Sequence, residues 1–79
     1  MDKFKNITEL SKLLNLVDKN SKKPLNYILR YWEKEFKQIK PKIFSGNRRY
    51  YDEKNIDLLK KIKFLLKDQG MTINGVKKI

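Results

Sequence analysis

The sequence predicts a mainly helical fold of about four helices with one small β-hairpin. Apolar residues recur at helical spacing in several separate segments, and a Gly46-Asn47 pair stands between two short β-prone runs. The chain has 79 residues, of which 39% are hydrophobic. We therefore expect one small domain over residues 1–79, stabilised by packing, because the absence of cysteine excludes disulfides.

The charge balance favours a nucleic-acid partner. Lys and Arg number 20 against 9 acidic residues, a net charge of +11, although ribosomal proteins and membrane-surface helices share this footprint. Without His or Cys the chain cannot form a Cys/His zinc site, and we expect no cofactor. No apolar run approaches the ~18 residues of a membrane span, and no signal peptide is recognisable. We therefore expect a cytoplasmic protein without a membrane partner.

The first helix is predicted over residues 7–15. Asn6 can cap it, with Glu9 completing a capping box, and the apolar residues that follow with helical period are Ile7, Leu10, Leu13, Leu14 and Val17. Residues 17–23 form a polar, basic, non-periodic connection. Pro24 suits the first position of a second helix, which we expect to start at about that residue.

The second helix, residues 24–36, has two coherent faces. Its apolar stripe consists of Leu25, Ile28, Leu29, Trp32 and Phe36. The opposite face carries Tyr27, Arg30, Tyr31 and Lys34. Such a face suits a DNA groove, although the tyrosines could instead only shield the edge of the core while the cations are solvated.

A hairpin is predicted after this helix. Residues 39–44 and 48–51 resemble two strands around Ser45-Gly46-Asn47, and Pro41 is tolerable because every strand of so small a hairpin is an edge. A helix, a polar connection, an amphipathic helix and a hairpin together outline a winged helix-turn-helix domain, with the hairpin as the wing.

Two further helices complete the pattern. Asp52 can cap a third helix that reaches Gly70, and its apolar stripe comprises Ile56, Leu58, Leu59, Ile62, Leu65 and Leu66. The lysines on its other side are ordinarily a solvated face. Thr72 can cap a short fourth helix with Ile73, Val76 and Ile79 facing inward. The apolar pattern of this fourth helix continues up to Ile79, so we expect the chain to be truncated there.

In this order, these motifs resemble the MerR family of bacterial transcription regulators over nearly the whole chain. Arg30, Tyr31 and Trp32 match the family's recognition helix, Arg49 and Tyr51 match its Arg-x-Tyr wing motif, and Gly70 matches the end of its Leu/Ile-rich helix. The resemblance implies a dimer on a pseudo-palindromic promoter site. It also implies that distortion of an over-long promoter spacer lets RNA polymerase engage both promoter elements.

The chain departs from the family pattern in two places. Lys19–Lys23 makes the connection between the first two helices longer than the family's short turn. The long antiparallel dimerisation helix and the effector domain of the family do not occur within residues 1–79. We therefore expect a monomer for this chain and a homodimer only for a longer one.

The predicted double-stranded DNA contacts lie on the second helix, its preceding connection and the wing. They are Lys22, Lys23, Asn26, Tyr27, Arg30, Tyr31, Lys34, Lys42, Arg48, Arg49 and Tyr51. Trp32 is assigned to the core, and packing is an alternative role for Tyr51. For Arg49 we favour DNA, because a core-facing arginine is costly unless it is paired.

Other classes of function fit parts of the sequence. A basic RNA-binding or ribosome-associated protein explains the charge equally well, but readers of single strands expose stacking aromatics on a sheet, and only one short hairpin is predicted. A winged helix can also dock a protein. An enzyme is not favoured, because the chain has no His, Cys or Gly-rich phosphate loop and its carboxylates are dispersed.

Overall fold

The computed structural model describes residues 4–79 and confirms the mainly helical class with a wing. In that part of the chain the helices are α1 (Ile7–Leu13), α2 (Asn26–Glu35), α3 (Glu53–Lys63) and α4 (Ile73–Lys77). The strands are β1 (Lys5–Asn6), β2 (Lys42–Phe44) and β3 (Arg48–Tyr51). None of the helices in residues 4–79 combines the length and apolarity needed to cross a bilayer.

Helix α1 begins as predicted and ends two residues earlier. The Glu9 N–H donates to Asn6 Oδ1 at 2.8 Å, and the Asn6 N–H donates to Glu9 Oε1 at 3.0 Å, which is the predicted capping box. The helix ends at Leu13 because Asn15 has a φ of 59°, in the left-handed region that stops a helix. Leu14 and Leu16 still reach the core.

Helix α2 starts at Asn26, so the predicted start at Pro24 is wrong. Pro24 pairs with Val17 in an isolated β-bridge, and the Leu25 N–H donates to the Leu16 carbonyl at 2.8 Å. These two contacts hold residues 24 and 25 against residues 16 and 17 outside the helical conformation. The helix can begin only after residue 25.

The longer connection between α1 and α2 is an ordered turn. The Asp18 carboxylate accepts the N–H groups of Asn20 and Ser21, each at 2.9 Å, and these bonds hold the pKa of Asp18 below its usual value. The Asp18 N–H donates to the Lys23 carbonyl at 2.9 Å, which closes the turn. The side chains of Lys22 and Lys23 in this turn are exposed.

The wing is a three-stranded antiparallel sheet in the order β1-β3-β2. Strand β1, which the sequence did not predict, pairs Lys5 with Tyr51. The expected first hairpin strand over 39–44 is too long, because Ile39 is buried in the core ahead of β2. The predicted Gly-Asn turn is confirmed: Gly46 and Asn47 have φ values of 77° and 59°.

The core forms where α1, α2, α3 and the inner face of the wing meet. Trp32, with 3% of its surface exposed, lies in it as predicted. The buried apolar residues are Leu10, Leu14, Leu16, Leu29, Trp32, Phe36, Ile39, Tyr51, Ile56, Leu59, Ile62 and Val76. This cluster fixes the apolar stripe of α2 inward, so the opposite face of α2 is turned to solvent.

The C-terminal part follows the predicted caps with one correction. Asp52 caps α3 and Thr72 caps α4. A π-helical turn at Phe64–Asp68 extends α3 to Asp68, and Gly70 follows with a φ of 67°. Val76 is buried, but Ile79 is 74% exposed, so its predicted inward position is wrong. Helix α4 ends at Lys77, which removes residue 79 from the helical register.

Candidate nucleic-acid interface

The outer face of α2 is accessible along its length. Tyr27 and Tyr31 are 68% and 51% exposed, and Arg30 and Lys34 are also exposed. The predicted grouping of two hydroxyls and two cations on one helix face is therefore present. These groups can donate hydrogen bonds to phosphates and to the base edges of a groove.

The three arginines of the chain line one open cleft of about 390 Å³, here called the arginine cleft. Its walls are residues 6–8 at the start of α1, Arg30 on α2, and residues 47–50 of the wing. Guanidinium groups bind phosphate through two parallel hydrogen bonds, so arginines that line a cleft favour an anion there. The arginine cleft can therefore receive a backbone phosphate.

One carboxylate on α2 holds two residues of β3. Arg49 Nη1 donates to Glu33 Oε2, and the Tyr51 hydroxyl donates to Glu33 Oε1 at 2.8 Å. Residues 49 and 51 can share this partner because alternate residues of a strand lie on the same face. The Glu33 clamp, defined by these three side chains, fixes the orientation of the wing relative to α2.

The burial of Tyr51 does not support its predicted contact with DNA. It is 1% exposed and lies in the core, with its hydroxyl directed at Glu33. Burial and the Glu33 hydrogen bond raise the pKa of Tyr51, so the side chain stays a neutral donor. Packing, the alternative role considered for this residue, is the one the structure shows.

Asn26 joins the first two helices instead of facing a ligand freely. Ser11 Oγ donates to Asn26 Oδ1 at 2.7 Å, and Asn26 Nδ2 donates to Thr8 Oγ1 at 3.2 Å. Both ends of its amide are therefore engaged by α1, and its side chain is half-buried. The structure thus gives this amide a role in holding α2 to α1, and it does not support the predicted contact of Asn26 with DNA.

The remaining predicted positions are exposed, and their contacts with DNA stay predictions. Lys42 and Arg48 lie on the wing, and Lys22 and Lys23 lie on the turn that leads into α2. Arg49 keeps 42% of its side chain exposed despite its pairing with Glu33. Its five N–H donors allow it to hold a carboxylate and still face a phosphate.

Sequence reasoning missed Glu33 as a site residue and counted it among dispersed carboxylates. A signal was present, since Glu33 follows Trp32 and so lies at the border between the apolar stripe and the exposed face of α2. A carboxylate at such a border faces a neighbouring element. The partner element, however, follows only from the tertiary structure.

The Glu33 clamp predicts a specific pattern of stability. In Glu33→Ala the buried Tyr51 hydroxyl loses its acceptor, so we expect a destabilisation of about 1–3 kcal/mol, measured by thermal unfolding. Glu33→Gln keeps an acceptor oxygen and should lose less. The control is Glu35→Ala, whose pair with Lys77 at 2.9 Å is more exposed and should contribute at most about 1 kcal/mol. Equal melting shifts in Glu33→Ala and Glu35→Ala would contradict a clamp.

These features together define a winged helix-turn-helix domain that presents a cationic, aromatic helix face beside an arginine-bearing wing. The chain matches the model of the MerR HTH family regulatory proteins over residues 5–79, and it belongs to that family. The family is one of DNA-binding transcription regulators. Searches among curated proteins and among solved structures returned no significant match.

Proposed function

We propose that this chain binds double-stranded DNA sequence-specifically and reads one half-site of a promoter. The observation that carries the proposal is that Arg30, Arg48 and Arg49 all line one cleft beside the exposed face of α2. A recognition helix lies in the major groove, while neighbouring elements contact the backbone. In this arrangement α2 enters the groove and the arginine cleft holds a flanking phosphate.

Arg30 has the central position in this proposal. It lies on the exposed face of α2 and also lines the arginine cleft, so it stands between the groove and the backbone. Its guanidinium can bind guanine O6 and N7 in the major groove, the commonest specific contact to a base. Tyr27, Tyr31 and Lys34 supply further donors, mainly to the backbone.

We further propose that two copies of this reader occupy the two halves of a pseudo-palindromic promoter site. Helix-turn-helix dimers bind half-sites about one helical turn apart, so that the symmetry of the protein matches that of the DNA. RNA polymerase is then affected indirectly, through the shape of the promoter. Membership of a family of transcription regulators supports this part of the proposal.

The test is selection from random duplexes followed by salt titration of the selected DNA. A module that neutralises ~3–5 phosphates should give a slope of log K against log salt of about −3 to −4.5. Arg30→Ala should relax the preference at one or two base pairs, by about 1–3 kcal/mol each. Lys60→Ala, which removes one exposed charge from α3, should keep the selected preference. A slope near zero, or an unchanged preference in Arg30→Ala, would refute this proposal.

A further inference from the structure

The wing carries a group of aromatic rings on the side of its sheet that faces away from the core. Along β3, residues 49 and 51 reach Glu33 on α2, so Arg48 and Tyr50 lie on the opposite face. The Tyr50 ring lies 5.1 Å from that of Phe44, and Phe44 lies 5.5 Å from Phe4. We call Phe4, Phe44 and Tyr50 the aromatic face.

Cations adjoin these rings in the register of the sheet. Lys42 pairs with Tyr50 across the strands, and Arg48 pairs with Phe44; both cations are exposed. Phe44 is itself 42% exposed, although burial of an aromatic ring is strongly favourable. The aromatic face therefore presents π surface and positive charge side by side.

This combination has a known use in proteins that bind single strands. Unpaired bases stack on exposed aromatic side chains of a sheet, while Lys and Arg hold the phosphates between them. Bases inside a duplex are covered by their neighbours and cannot stack in this way. An apolar protein surface is a poor partner, because it would desolvate Lys42 and Arg48 without a counter-charge.

We propose that the aromatic face binds a short single strand of nucleic acid through base stacking. Tyr50 and Arg48 also line the arginine cleft, so the two surfaces are continuous. A strand with one phosphate in the cleft can place its next bases on Phe44 and Tyr50. The proposal shares the arginine cleft with duplex reading by α2, but its base stacking uses different side chains from those of the helix face.

The experiment measures fluorescence anisotropy of labelled oligodeoxyuridine, oligouridine and abasic deoxyribose strands, each of about ten nucleotides. The abasic strand keeps the charge and lacks the bases, so it should bind more weakly than the other two. Phe44→Leu keeps an apolar side chain and removes the ring; it should weaken binding of at least one base-bearing strand by roughly fivefold or more. Phe44→Trp should retain binding, because it restores a ring.

The matched control is Phe64→Leu, because Phe64 is 49% exposed and lies in the π-helical turn away from the sheet. It should leave all affinities unchanged, and both leucine variants should melt as the parent chain does.

Equal binding of abasic and base-bearing strands would overturn the proposal, as would Phe44→Leu binding as tightly as the parent. An equal loss of affinity in Phe44→Leu for the selected duplex of the salt titration would also overturn it, since the ring would then belong to the duplex contact. The tighter of the two base-bearing strands identifies DNA or RNA as the source. Loss of duplex reading alone would overturn only the function proposed for α2.

Discussion

Replacing Trp32 with alanine is expected to remove a large part of the domain's free energy of unfolding. Trp32 is 3% exposed at the centre of the α2 stripe and packs within the core cluster. A change of this kind costs about 3–5 kcal/mol, because it removes buried apolar surface and leaves a cavity. At about 0.05–0.15 kcal/mol per residue, a chain of 79 residues has a total stability of roughly 4–12 kcal/mol. Urea unfolding followed by circular dichroism measures the loss.

The matched control for this change is Tyr27→Ala, which removes an aromatic ring from the same helix. Tyr27 is 68% exposed, so its loss should change the free energy of unfolding by at most about 0.5 kcal/mol. If the Trp32→Ala chain keeps the unfolding midpoint of the parent, the core does not depend on this ring. Similar losses in both variants would mean that the two faces of α2 are wrongly assigned.

The parts of the fold predicted from sequence are those fixed by neighbours along the chain. Capping by Asn6, Asp52 and Thr72 depends on residues within one helical turn, and all three caps are present. The apolar stripe of α2 could be predicted from the helical spacing of its residues alone. Helix ends were less accurate, since the start of α2 is set by the bridge between Val17 and Pro24.

Features that depend on distant residues could not be predicted. Strand β1 is two residues long and exists only because β3, far along the chain, offers it an edge. The alternation of β3 places Arg49 and Tyr51 on one face, but does not reveal which face meets α2. The structure shows that the face with Arg49 and Tyr51 is the one that meets α2. The Glu33 clamp and the burial of Tyr51 follow from this arrangement.

The same dependence on tertiary structure explains why the aromatic face could not be predicted from the sequence. Phe4, Phe44 and Tyr50 are separate in sequence and show no common period, and the pairing of β1 and β2 with β3 brings them together. The expectation of only a short hairpin counted against single-strand binding. A third strand changes that argument, because it widens the sheet and adds a ring to its surface.

Joining two copies of the chain head to tail is expected to raise affinity for a two-site duplex by ~10²–10⁴-fold over the single chain. The gain arises because the second binding event becomes intramolecular and takes place at a high effective concentration. Half-sites one helical turn apart are separated by about 34–36 Å, and a flexible Gly/Ser linker spans this distance at roughly 40 residues, since its end-to-end length grows as about 5–6 Å times the square root of residue number. Titration of labelled duplex at fixed salt measures the gain.

Two controls separate this tethering effect from simple accumulation of charge. On a duplex of about ten base pairs, which has room for one reader only, the linked pair should bind at most a few-fold more tightly than the single chain. A linked pair with Arg30→Ala in one copy should lose much of the gain on the two-site duplex, because one arm then binds weakly. If the linked pair gains equally on the short and the two-site duplexes, net charge alone explains its binding, and reading of paired half-sites by this domain is refuted. A gain confined to the two-site duplex would instead show that each copy occupies its own half-site, with α2 and the arginine cleft engaged at both ends of the DNA.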